Sequence, residues 1–243
     1  MDDALLGRAI RNNADWCDIV CRAHGVPGEF AHGMWINRER VPRFYPNVQT
    51  LTAPGARQVA LIRELIVQLP SAWAVKDSFA SLDLVPLGFT RLFEAQWIVL
   101  PRQRLATFDA TSAEAEWKVV RSEDSLSAWE HAWRHANGDT NPARIFLPPL
   151  LDNPDVTMVA ACRGKNIVAG AIGNRNAGVI GWSNFFAGAG ENPSANALGS
   201  LALISQTFPD AEIVGYEEGE MLRLVQSLGF ETLAPLRVWL FTG

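Results

Sequence analysis

Cysteine is scarce in this 243-residue chain, with only Cys17, Cys21 and Cys162, an odd and scattered set. That excludes the disulfide framework that holds small secreted domains together. Long apolar runs are missing as well, since none reaches the roughly 20 residues needed to cross a bilayer. The Met1-Asp2-Asp3 start lacks the basic-then-apolar layout of a secretory signal. A cytoplasmic protein with no membrane partner is expected. Charge is thin too, at 19% of residues and a net of −5. Residues 1–112 carry 12 basic and 11 acidic side chains, and the remaining 131 carry 9 and 15. No basic patch points to nucleic acid. An acidic second half suits a cationic small molecule, and it equally suits solubility alone. Gly-x-Ser-x-Gly, Walker and dinucleotide fingerprints are absent.

Metal ligation finds little support. Cys17, Cys21 and His24 can share one helical side with His32 nearby, but the second ligand pair of a zinc site is missing. Small cysteines on an apolar helix face explain the first two. His131 and His135 stand at i and i+4 without the Glu of His-Glu-x-x-His, so no metal is expected.

What the chain does have is packing material and a repeat. Apolar residues reach 48%, with nine Trp and twelve Phe. Leu87-Gly88-Phe89 recurs as Leu228-Gly229-Phe230, and a shift of 141 also lays Trp73-Ala74-Val75-Lys76-Asp77 on Val214-Gly215-Tyr216-Glu217-Glu218. So long a period implies two related half-domains rather than a solenoid. Periodicity predicts a helix within residues 1–33, strands at 35–37 and 48–51, and a helix opened by Pro54-Gly55 and closed by Pro70. A strand at 72–76, a short helix over 78–85 and a strand at 91–100 complete the first half. Residues 101–114 read as a linker, which divides the chain into regions 1–112 and 113–243. The second half predicts a strand at 117–121, a helix from Ser122 or Glu123, and a short helix at 145–151. A hairpin (156–162 and 167–173) and a strand at 179–186 follow. A helix with Leu198, Leu201, Ala202, Ser205 and Phe208 on one side comes next, then strand 212–216, helix 220–228 and a last strand. Trp97, Trp129, Trp133 and Trp239 read as core, with Trp97 and Trp239 equivalent between the halves.

The fold class is therefore α/β (α+β), with a mixed central sheet and flanking helices. Its second-half order, with a Gly-containing loop before one helix and Leu-Gly-Phe after the next, resembles the GCN5-related N-acetyltransferase (GNAT) superfamily over residues 117–243. A degenerate half-copy would occupy about 35–100. The resemblance implies acetyl-CoA or another acyl-CoA as cosubstrate, a small amine as acceptor and acyl transfer between them. It implies that the strand over 179–186 splays from that over 212–216, with the pantetheine arm in the gap. Ser183, Asn184 and Phe185 would then offer strand amides or side chains to the thioester. Gly188, Gly190, Ser194 and Asn196 would meet the pyrophosphate at a helix start, where amide hydrogens are free. Glu217 is the candidate base or amine binder, with Tyr216 beside it, although Glu217 and Glu218 also suit the first turn of a helix. Asn184 also suits a bulge or an edge position. Two departures stand out: Phe185 or Ala187 replaces the loop's usual Gln or Arg, and Val225 replaces the usual acid Tyr. They leave an alternative, a catalytically inactive module that binds CoA or another small ligand. Oligomers are compatible with either.

Overall fold

The structure, a computed structural model, describes residues 3–69, 72–105, 115–209 and 211–243. Pro70 and most of the expected linker, with the boundary at 112/113, lie outside them. The elements run α1 (Asp3–Ala23), β1 (Glu29–Ala31), β2 (Met34–Ile36), β3 (Val48–Thr50), α2 (Ala56–Gln68), β4 (Trp73–Asp77), β5 (Phe89–Leu100) and α3 (Arg102–Leu105). They continue with β6 (Glu116–Val119), α4 (Glu123–Ala136), β7 (Val156–Arg163), β8 (Asn166–Asn176), β9 (Val179–Ala187), α5 (Pro193–Thr207), β10 (Ile213–Glu217), α6 (Gly219–Ser227) and β11 (Glu231–Phe241). No described helix is long and apolar enough to cross a membrane.

All eleven strands join one mixed sheet in the order β1-β2-β3-β4-β11-β5-β10-β9-β8-β7-β6. The last strand of each half is seated in the other half. β11 lies between β4 and β5, and β5 lies between β11 and β10. Their antiparallel pairing includes Thr232↔Ile98 and Trp239↔Arg91, which exchange under the 141-residue shift. Trp97 and Trp239, however, are not equivalent. The shift relates Trp239 to Ile98, and a slip of one residue turns a strand side chain to the opposite face. Trp97 packs with Leu5, Ala9 and Ile10 of α1, while Trp239 packs with Ile62 and Leu65 of α2.

Strict alternation along the strands feeds both faces. In β7, Met158 and Ala160 face the α4 helix with Leu126 and Trp129, while Val159 faces Leu201 and Ile204 of α5. The α5 face differs from its expected one. Ala197, Leu201, Ile204 and Phe208 are buried, whereas Leu198, Ala202 and Ser205 are only partly so.

Two expected short helices are absent from their segments, for reasons visible in the polar side chains. At 145–151 only a 3-10 turn, Pro148–Leu150, forms. The buried Glu130 carboxylate accepts the Ile145 amide at 2.5 Å, Phe146 also donates to it, and Pro148 and Pro149 have no amide to give. At 78–85 the Asp77 carboxylate accepts Leu82 N at 2.7 Å and Phe79 N at 3.3 Å. That turn replaces the helix, and a 3-10 turn, Val85–Leu87, follows. Cys17 and Cys21 sit with Ala14 and Trp35 in an apolar cluster, and burial pushes the Cys21 thiol up to about 12. No group of three or more metal-ligating side chains occurs among the described residues.

Candidate functional site

β9 and β10 are parallel partners at only two positions, Ile213↔Ile180 and Val214↔Gly181. Beyond them β10 keeps its antiparallel ladder with β5 out to Glu217↔Gln96. β9 instead follows β8, and a bulge makes it diverge. Between the pairs Gly170↔Phe186 and Ile172↔Ser183, β9 spends one more residue than β8, which bends the bulged strand. Asn184 sits in the bulge at φ +53°, a left-handed conformation that Asn tolerates and β-branched residues do not. Asn184→Val is accordingly expected to destabilise the fold by about 1–3 kcal/mol, and Asn184→Gly to leave stability nearly unchanged. Urea unfolding of the two variants checks this.

The divergence opens a cavity of about 240 Å³. Ser183, Asn184 and Phe185 of β9 line one side, and Tyr216 and Glu217 of β10 line the other. These five positions of the sequence reading thus come together. α1 contributes Asn12 and Asn13 to the lining, and Trp97 and Trp133 form aromatic walls.

The Glu217 side chain has no hydrogen-bond or ion-pair partner among the described residues. Its carboxyl is pushed up to about 8, first by burial and then by the neighbouring Glu218 charge. Tyr216 is held differently. Lys76 of β4, itself buried, donates Nζ to the Tyr216 hydroxyl at 3.2 Å and to Asn13 Oδ1 at 2.7 Å. The ammonium also lies 4.3 Å from the Tyr216 ring centroid. An ammonium only donates, so the Tyr216 O–H hydrogen must point elsewhere.

The loop that starts α5 lies outside this cavity lining. The Gly188 amide donates to Val168 O at 2.8 Å. Asn192 caps α5, accepting Ala195 N on its side chain at 3.1 Å and Asn196 N on its carbonyl at 3.0 Å. The buried Asn196 carboxamide also donates to that carbonyl. Gly190, at φ +82°, and Ser194 keep amides with no partner among the described residues. Glu191 pairs with Arg163 at 3.2 Å.

Sequence reasoning missed Asn12, Asn13, Asn174 and Lys76. Adjacent asparagines inside an otherwise apolar helix face were the available signal. Lys76 carried a weaker one, because the repeat lays it on Glu217.

No family model and no curated protein matches the sequence. Solved structures do resemble the fold. A GCN5-related N-acetyltransferase from Kribbella flavida is 15% identical, with a TM-score of 0.63 over 97% of this chain and 96% of its own. A putative GNAT-family acetyltransferase from Novosphingobium aromaticivorans is 11% identical, with a TM-score of 0.59 over 96% and 99%. A functionally unknown conserved protein from Staphylococcus epidermidis reaches 0.66 at 11% identity over 90% and 94%. The chain has the GNAT fold, and the likeness extends through both halves.

Proposed function

We propose that the protein is an acyl-CoA-dependent N-acetyltransferase acting on a small amine. The gap between β9 and β10 carries this reading. In it, two strands of one sheet present unpaired backbone to a cavity that also holds a carboxyl group pushed up to about 8 by burial. An amide hydrogen of the Ser183–Phe185 bulge polarises the thioester carbonyl. Glu217 takes the proton of the amine, whose nitrogen attacks the carbonyl carbon. The C–S bond breaks, and the leaving thiolate takes a proton from Tyr216. The Lys76 contact leaves that hydroxyl hydrogen free to face the cavity. The Gly190 and Ser194 amides, at the positive end of α5, receive the pyrophosphate. In this scheme a degenerate half-copy over about residues 35–100 supplies Lys76, and α1, which precedes it, supplies one wall of the site.

A second reading has its own observation. Val225 of α6, at the position where the resembled superfamily carries an acid Tyr, is fully buried, which suits a module that binds CoA without catalysis. Thermal shift with acetyl-CoA and free CoA, together with thiol release over an amine panel, separates the two. Acetyl transfer predicts a raised melting temperature and thiol release. A shift without thiol release would favour the binding module, and no shift would remove both.

A further inference from the structure

The chemistry of the cavity wall narrows the acceptor beyond "small amine". Its one carboxyl group is Glu217, and no lysine or arginine is among its lining residues. Two cations sit nearby without lining it. Lys76 is buried behind Tyr216 and spends its hydrogens on Asn13 and that tyrosine. Arg43, whose neighbour Phe44 packs edge to face on Trp133, holds Asp139 at 2.8 Å and the Ala143 carbonyl at 3.0 Å. The rest of the lining is uncharged, made of carboxamides, small residues and aromatics: Trp97 and Tyr216 meet edge to face at 5.6 Å, and Trp182 stacks on Phe185 at 5.2 Å. Such walls favour an apolar body and a cation, and they leave a second anion unpaired. A carboxylate in this cavity would lose its water and gain no counter-charge. At about 240 Å³ the space falls below the usual range of roughly 300–1,000 Å³ for drug-sized ligands.

We infer that the acceptor is a small primary amine with a compact apolar or aromatic body and no carboxylate or phosphate. Its ammonium is directed at Glu217. The inference rests on the acyltransferase reading only in assigning the cavity to the acceptor; the selectivity follows from the wall.

Binding is the appropriate readout, because it does not depend on turnover. Isothermal titration of the purified full chain at pH 8.5, above the Glu217 carboxyl's value of about 8, with 2-phenylethylamine, L-phenylalanine, ethylamine and 2-phenylethanol compares the three features, carboxylate, ring and amine, directly. 2-Phenylethylamine is expected to bind about 100-fold tighter than L-phenylalanine, whose carboxylate finds no partner. It should exceed ethylamine by about tenfold or more through ring burial. In Glu217→Gln its advantage over 2-phenylethanol should disappear. Equal or tighter binding of L-phenylalanine, no advantage over 2-phenylethanol in the unaltered chain, or no amine binding would each overturn the inference. Thiol release from acetyl-CoA, measured in parallel, tests the other reading on its own. Selective amine binding without thiol release sinks acyl transfer alone, and transfer to amino acids in place of simple amines sinks the inference alone.

Discussion

Glu217→Gln is expected to lower kcat/KM for acetyl transfer by about 10²–10⁴-fold, the usual worth of a positioned proton acceptor. The glutamine keeps the shape of the side chain and cannot take a proton, so a loss confined to the chemical step separates this role from mere lining. The pH profile adds a sign. With the carboxyl pushed to about 8 by burial and the Glu218 charge, the unaltered chain should gain activity as pH rises towards 8. That limb should vanish in the variant. Stability should move the other way. The folded carboxyl holds its proton up to about 8, whereas a freely exposed glutamate titrates near 4.5. Between these values the unfolded chain has lost a proton that the folded chain retains, so raising the pH favours unfolding. Glu217→Gln should match the parent below pH 4.5, become relatively more stable through that window, and hold its full advantage above pH 8. Thermal melts at pH 4, 6 and 8.5 test this. A variant less stable than the parent at pH 8.5 would show that the carboxyl is paired and ionised rather than isolated.

The sequence carried the sheet better than it carried the site. Strands β7, β8 and β9 and helix α4 were legible because alternation and 3.6-residue spacing report burial directly, and the Ser122 cap marks the start of α4. The helices expected at 78–85 and 145–151 failed because their amides go to side chains outside the pattern, Asp77 and Glu130. Periodicity carries no trace of such partners. At the candidate site, Ser183, Asn184, Phe185, Tyr216 and Glu217 came from the resemblance and from the carboxyl end of the β10 strand, and the fold brings them to one cavity. Lys76, Asn12 and Asn13 escaped because their role exists only across the sheet. β11 and β5 separate β4 from β10, and the Lys76–Tyr216 contact spans 140 positions of sequence. The exchange of the two C-terminal strands sets that juxtaposition, and no local pattern announces it.

Gly181→Ala is the expected breaking point of the same juxtaposition. α1 is tied to the β8–β9 hairpin by a buried pair of carboxamides. Asn12 donates to the Asn174 carbonyl at 3.0 Å, and Asn174 donates to Asn12 Oδ1 at 3.0 Å. Gly181 lies opposite Asn174 in the hairpin, and a Cβ there would meet Asn12 Oδ1 at 2.2 Å and Asn174 Oδ1 at 2.3 Å. One or both carboxamides must move to make room, which disturbs their pairing. Overpacking costs about 1–3 kcal/mol, and each buried amide left unsatisfied costs about 1–3 kcal/mol more. With one amide left unsatisfied, a loss of roughly 2–6 kcal/mol in urea unfolding follows from these terms. Gly7→Ala in α1 provides the contrast, because its Cβ would meet nothing within 4 Å, and it should stabilise the helix by about 0.5–1 kcal/mol. A cycle combining Gly181→Ala with Asn12→Ala identifies the cause. If the methyl acts by splitting the carboxamide pair, most of its cost disappears once Asn12 is truncated, and the two changes are strongly non-additive. Additive losses would locate the damage in the β9 backbone instead. Because α1 also walls the cavity through Asn12 and Asn13, the single variant should weaken amine binding under conditions where it remains folded, which Gly7→Ala should not do.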